Sequence, residues 1–191
     1  EAGWSAGDPR LEALDHYRRS RTSLHLDDKI LLSWNAWTII ALARAGLVLA
    51  EKRYLDAAIQ AQRFLAAHMT DHRDRLYHRF RDGEAAHDGQ LEDYAVYALA
   101  LLELYRCTFA PEYLKQAIHR AEQMTALFED REAGGFYMSA VDAEPLIVRP
   151  KETYDGAVPS GNAAAAMVLE QLAGLTGIPA WREAADRQHG F

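Results

Sequence analysis

Two kinds of apolar pattern alternate along this chain. Residues 30–50 are apolar almost all the way round a helical turn, the pattern of a helix buried on every side. In 52–69, by contrast, Tyr54, Leu55, Ala58, Ile59, Gln62, Leu65 and Met69 recur at helical spacing with charges opposite, the pattern of a helix that covers a core and faces water. The pair returns as 91–106 followed by 111–128, where Tyr113, Leu114, Ala117, Ile118, Ala121, Met124 and Phe128 form the stripe. It returns again as the alanine-rich run 160–175 followed by 179–188, where Trp181, Ala184 and Ala185 face inward. Pro111 and Pro179 suit first helical turns, where the missing N–H has no intrahelical partner to lose.

The register of these pairs is common to all three. Trp34 to Tyr54 is 20 positions, Tyr94 to Tyr113 is 19, and Asn162 to Trp181 is 19. This is an internal repeat of helical hairpins, spanning about 30–69, 90–128 and 160–188. An amphipathic run over 8–19, with Leu11, Leu14 and Tyr17 on one side, reads as the second half of an earlier hairpin. Between hairpins, 75–80 and the pair 135–139 with 146–149 read as short β-hairpins in long connections. The expected fold is all-α: a partial α/α toroid in which the first member of each pair is inner and the second outer. The chain begins at Glu1 rather than Met and its last helical run stops near its end, so it reads as a piece of a longer protein whose other hairpins are absent. Open sides of such a partial ring are expected to leave apolar inner-helix surface uncovered, with Ile39, Leu42 and Ala165 as candidates, and to permit homo-oligomers.

Charge and composition narrow the function. Of 191 residues, 28 are Asp or Glu and 21 Lys or Arg, a net charge of -7 that leaves too few cations for a nucleic-acid or anionic membrane partner. The longest apolar run is broken by Ser33, Asn35 and Arg44, so no membrane span is expected. The single cysteine, Cys107, cannot form a disulfide within the chain and reads as a small buried residue compatible with a reducing, cytoplasmic compartment. No Cys or His pairs stand at metal-ligand spacing and no glycine-rich loop matches a phosphate cradle, so neither metal nor cofactor is expected.

The chemistry-bearing positions follow the repeat. Asp28 stands six positions before Trp34, Asp88 six before Tyr94, and Asp155 seven before Asn162. Inner helices of a toroid run parallel, so these acids should gather at one rim, joined by Glu92 and Asp93 as candidate catalytic groups. Each of them also suits a helix N-cap, the plainer role for an aspartate ahead of a helix. On the same loops lie Arg21, His25, Trp34, Asn35, His87, Tyr94, Tyr154 and Asn162, the mixture of aromatic faces, amides and charges that a sugar site uses. His25 and His87 sit close to aspartates that could fix a ring tautomer for acid–base work, whereas His68, His72, His78, His119 and His189 read as surface or packing residues.

Several ordered motifs carry a resemblance: Arg21, then 25–31 with the sequence His-Leu-Asp-Asp-Lys-Ile-Leu, Ser33-Trp34-Asn35, Leu91-Glu92-Asp93-Tyr94-Ala95, and 155–162 ending Ser160-Gly161-Asn162. The chain resembles the C-terminal region of the thioredoxin-domain-containing proteins related to spermatogenesis-associated protein 20. Leu24 stands where that pattern has a proline, and Ala36 where a glycine is common. The resemblance implies an α/α toroid like those of six-hairpin glycosidases and N-acylglucosamine 2-epimerases, with a thioredoxin-like domain upstream of this chain. It implies a carbohydrate-processing fold and leaves the reaction open. Three readings follow: a glycoside hydrolase using paired rim carboxylates, a sugar epimerase or isomerase using His25 or His87, and a non-catalytic scaffold that binds a glycan or a protein.

Overall fold

A computed structural model describes residues 8–145 and 147–191. Helix α1 (Pro9–Ser20) starts on Asp8, whose carboxylate accepts the Arg10 backbone N–H at 2.9 Å, and buries none of its side chains. The three hairpins are α2 (Leu32–Val48) with α3 (Lys52–His68), α4 (Leu91–Thr108) with α5 (Pro111–Phe128), and α6 (Gly161–Thr176) with α7 (Pro179–His189). Helix α4 packs against α2 on one side, α6 on the other and α5 behind, which places α2, α4 and α6 in an inner layer and α3, α5 and α7 outside. The chain therefore forms part of an α/α toroid.

The central position of α4 explains its burial: from Leu91 to Leu104 every residue except Glu92 is buried. Helix α2 differs from the all-round burial its composition suggests. Leu32, Ala36, Ile39, Ala43 and Gly46 are buried, but Trp34, Thr38, Ala41 and Val48 form an exposed stripe, because α2 has an inner neighbour on one side only. Uncovered apolar surface does occur at this edge, but not at Ile39 or Ala165, which point into the core; Leu42 is half-buried. Gly46 sets the approach of α2 to α3, since a Cβ there would lie 2.9 Å from the Leu55 backbone nitrogen.

A three-stranded antiparallel sheet joins the segment ahead of α2 to the connection between the first two hairpins, in the order β1 (Ile30–Leu31), β2 (Tyr77–Arg81), β3 (Glu84–Asp88). Ile30 and Leu31 read as helix from their apolar character; paired opposite Phe80 and Arg79, they instead extend the hairpin. The second expected hairpin does not form among the described residues, and Leu146 lies outside them. That connection is an irregular loop held by the Met138 N–H donating to the Pro150 carbonyl (2.9 Å) and the Arg149 guanidinium donating to the Ser139 carbonyl (2.6 Å). No helix among the described residues is long and apolar enough to cross a membrane.

Candidate functional site

The N-termini of the inner helices meet at one end of the molecule, and Asp93 joins two of them. Helix α2 starts on Leu31, which has no side chain to cap it. Asp93, buried in the first turn of α4, supplies the missing acceptor: its Oδ1 takes the Ser33 N–H at 3.2 Å. Its Oδ2 takes the Gln90 N–H at 2.9 Å, capping α4 itself, and binds His78 Nδ1 at 2.9 Å. The turn into α4 is tight, for a Cβ on Gly89 would stand 2.8 Å from the Leu76 carbonyl oxygen. Helix α6 adjoins at the same end, where a Cβ on Gly161 would stand 3.0 Å from Leu91 Cδ2.

Glu92, next to Asp93, turns out of the core into a cavity of about 290 Å³ between the starts of α4 and α6. Leu91, Met138, Glu152, Tyr154 and Ser160 form its other walls. The Ser33 hydroxyl donates to Glu92 Oε1 at 3.3 Å. Burial, and then the neighbouring Asp93 carboxyl, push the Glu92 acid above the usual carboxylate range, against the smaller pull of His78 and Ser33. The hydrogen bond to Asp93 raises the His78 imidazole against the opposing effect of burial. One ligand atom from each of His78, Glu92 and Asp93 lies within 4.8 Å of the others, a compact acid–base group.

The other expected residues are distributed around this group. Asp28 is held in an ion pair with Arg81 at 2.8 Å, Asp88 is exposed at the end of β3, and Asp155 accepts the Ser160 N–H at 2.8 Å on the loop before α6. All three precede inner helices, yet none lines the cavity that Glu92 enters. Tyr154 does line it. Tyr94 is buried, its hydroxyl accepting from Leu76 N at 2.9 Å and Arg75 Nε at 3.1 Å. Asn162 is buried too: its amide clamps the connection by accepting from Phe136 N (2.8 Å) and donating to the carbonyls of Phe136 (3.0 Å) and Glu152 (2.8 Å). Asn162 thus positions the cavity wall rather than facing a ligand.

Asn35 donates to the Leu31 carbonyl at 2.8 Å and Trp34 lies exposed on the open face of α2. Arg21, its guanidinium 5.9 Å from the Tyr17 ring, and His25 lie in the exposed segment after α1. His87 has φ 62° and lines a second cavity on the sheet. His78 is the functional candidate that a reading as surface or packing passes over. The available signal is strand alternation, which puts His78 on the face of Phe80, and Phe80 packs inward against Phe64.

No family model matches the chain. Human spermatogenesis-associated protein 20 is 33% identical over 183 residues, covering 91% of this chain and 23% of the relative, so the chain spans about a quarter of its length. Cellobiose 2-epimerase from Spirochaeta thermophila superposes with a TM-score of 0.68 at 21% identity, over 84% of this chain and 42% of that one. A glycoside hydrolase family 76 mannosidase from Bacteroides thetaiotaomicron superposes with a TM-score of 0.72 at 19% identity, over 85% and 44%. At these identities the two structures establish the fold alone, the α/α toroid of sugar epimerases and glycoside hydrolases.

Proposed function

We propose that this chain, a homologue of part of spermatogenesis-associated protein 20, forms part of a carbohydrate-processing site that works by proton transfer. The observation that carries the reading is the juxtaposition of Glu92, which enters the cavity with a raised acid, and His78, which stands behind that wall, tied through Nδ1 to buried Asp93, with ligand atoms of the three within 4.8 Å of one another. A carboxylic acid still protonated where ordinary carboxylates are ionised is suited to donate a proton, and an imidazole fixed at Nδ1 keeps Nε2 for accepting one. On an open-chain sugar, His78 takes the proton from the carbon beside the carbonyl while Glu92 protonates the carbonyl oxygen. Once the enediol has turned its other face to His78, return of the carbon-bound proton with loss of a hydroxyl proton to Glu92 gives an epimer, and protonation of the neighbouring carbon instead gives an isomer. The names of the superposing epimerase and mannosidase support the substrate class.

A second reading is glycoside hydrolysis, favoured by the presence of a second carboxylate, Glu152, on the same cavity wall. Asp28, through Arg81, and Asp155, through the Ser160 N–H, act in either case as loop-ordering groups. A cytoplasmic location and self-association through the exposed stripe of α2 complete the proposal.

One NMR experiment separates the readings. Aldoses and disaccharides are incubated with the purified protein in D2O. Loss of the C2 proton signal, abolished in Glu92→Gln and His78→Ala, is the expected result. Release of a free sugar without C2 exchange selects hydrolysis. Binding of sugar with neither change leaves a scaffold and overturns the catalytic reading.

A further inference from the structure

A second cavity, of about 340 Å³, lies against the sheet, lined by Lys29, Leu31, His78, Arg79, Arg81 and His87. In a chain of net charge -7 this concentration of cations and imidazoles stands apart. Its residues come from all three strands of one sheet: Leu31 of β1 pairs with Arg79 of β2, and Arg79 with Ala86 of β3, next to His87. Arg79 and Arg81, two positions apart on β2, share a face.

Two of the cations already have carboxylates. Arg81 meets Asp28 at 2.8 Å and Asp82 at 3.4 Å, and Lys29 meets Asp27 at 3.3 Å. Arg79 has none. The residue is half-buried, and no hydrogen bond or ion pair to its guanidinium occurs among the described residues. A guanidinium that gives up part of its hydration without a partner is poised to accept one, and its planar fork matches an oxyanion.

We propose that this cavity binds an oxyanion group, phosphate or carboxylate, with Arg79 as its principal contact and Lys29 and His87 beside it. On the sugar-processing reading above, from which this second step follows, the group is carried by the substrate, which is then an acidic sugar. The two cavities have opposite character: the first is walled by the carboxyl groups of Glu92 and Glu152 and holds no cation to attract an anion, and Arg79 attracts one to the second. His78 is the element they share, through its own place in the second cavity and its closeness to Glu92. A sugar lying across His78 is therefore oriented, with its hydroxyl-bearing ring toward Glu92 and its anionic end toward Arg79.

Calorimetric titration of the purified protein with a neutral hexose, its 6-phosphate, the corresponding hexuronate and inorganic phosphate tests this. At least one acidic sugar is expected to bind about tenfold or more tightly than the neutral hexose, the one that does identifying the group. The preference should vanish in Arg79→Ala and survive in part in Arg79→Lys, with circular dichroism confirming that both variants fold. Equal affinity for neutral and acidic sugars, or an acidic preference unchanged in Arg79→Ala, overturns the inference while the sugar site stands. Inorganic phosphate that binds through Arg79 when no sugar does supports the oxyanion cavity and removes the sugar reading instead.

Discussion

In an Asp93→Asn protein one acceptor oxygen becomes an amide that can only donate, in a fully buried place where the carboxylate had three hydrogen-bond partners. If the amide nitrogen replaces Oδ2, it faces both the Gln90 N–H and His78 Nδ1; if it replaces Oδ1, it faces only the Ser33 N–H, which is the less costly choice. The first N–H groups of α2 then lose an acceptor that no side chain of Leu31 can replace. One buried unpaired donor costs about 1–3 kcal/mol, and the loss of charge from the remaining bonds adds about 1 kcal/mol. A loss of about 3 kcal/mol corresponds to a melting temperature lowered by about 6–12 °C for a chain of this size.

The pH dependence carries the specific signature of this substitution. His78 titrates above its ordinary value of 6.5 when folded. The stability it contributes is therefore fully present below 6.5 and is lost as pH rises through the raised folded value. Without the Asp93 carboxyl this contribution disappears, so the deficit of the variant should be larger at about pH 6 than at about pH 9. Urea denaturation at the two pH values, with NMR titration of the His78 ring, measures it. A deficit independent of pH, or a His78 titration unchanged by the substitution, would refute the role given to Asp93.

Three further substitutions test other parts of the account. Glu92→Gln should reduce turnover about 10²–10⁴-fold in the D2O exchange assay. It should also remove a pH-dependent cost: the Glu92 acid is raised above 4.5, so wild type loses stability relative to the variant as pH climbs from 4.5 through the raised value, visible in paired melting curves. Asn162→Ala strips three bonds from the connection ahead of α6 and should cost about 3 kcal/mol in chemical denaturation, with weaker sugar binding as the cavity wall loosens. Gly46→Ala forces a methyl to 2.9 Å from the Leu55 nitrogen and should destabilise by about 1–3 kcal/mol by thermal melting, with no effect on ligand binding.

The repeat was legible because helical periodicity is a local signal: the apolar stripes of α3 and α5 and the prolines that begin α5 and α7 fixed their type and nearly their ends. The short strand at Ile30–Leu31 was not, since its apolar residues read equally as the start of α2, and only pairing with β2, some fifty residues on, decides. The exposed stripe of α2 was hidden for the same reason: Trp34 and Val48 look like core residues until the packing shows which side has a neighbour. In the site, the gathering of inner-helix N-termini follows from the register, and Glu92 and Tyr154 reach the cavity. Which of two adjacent acids is buried, and that His78 crosses from the sheet to meet it, depends on the rotation of α4 and the pairing of β2, neither of which any local pattern encodes.

The central claim is that Glu92 and His78 act together on a bound sugar, and a crystal structure of the Glu92→Gln protein soaked with the sugar selected by titration tests it most directly. The account predicts a ring in the cavity walled by Leu91, Met138 and Tyr154, with one oxygen in hydrogen-bond reach of the residue 92 side chain and a carbon facing His78 Nε2. A sugar bound elsewhere, such as on the open face of α2 beside Trp34, with His78 and the residue 92 side chain touching only protein, would contradict it.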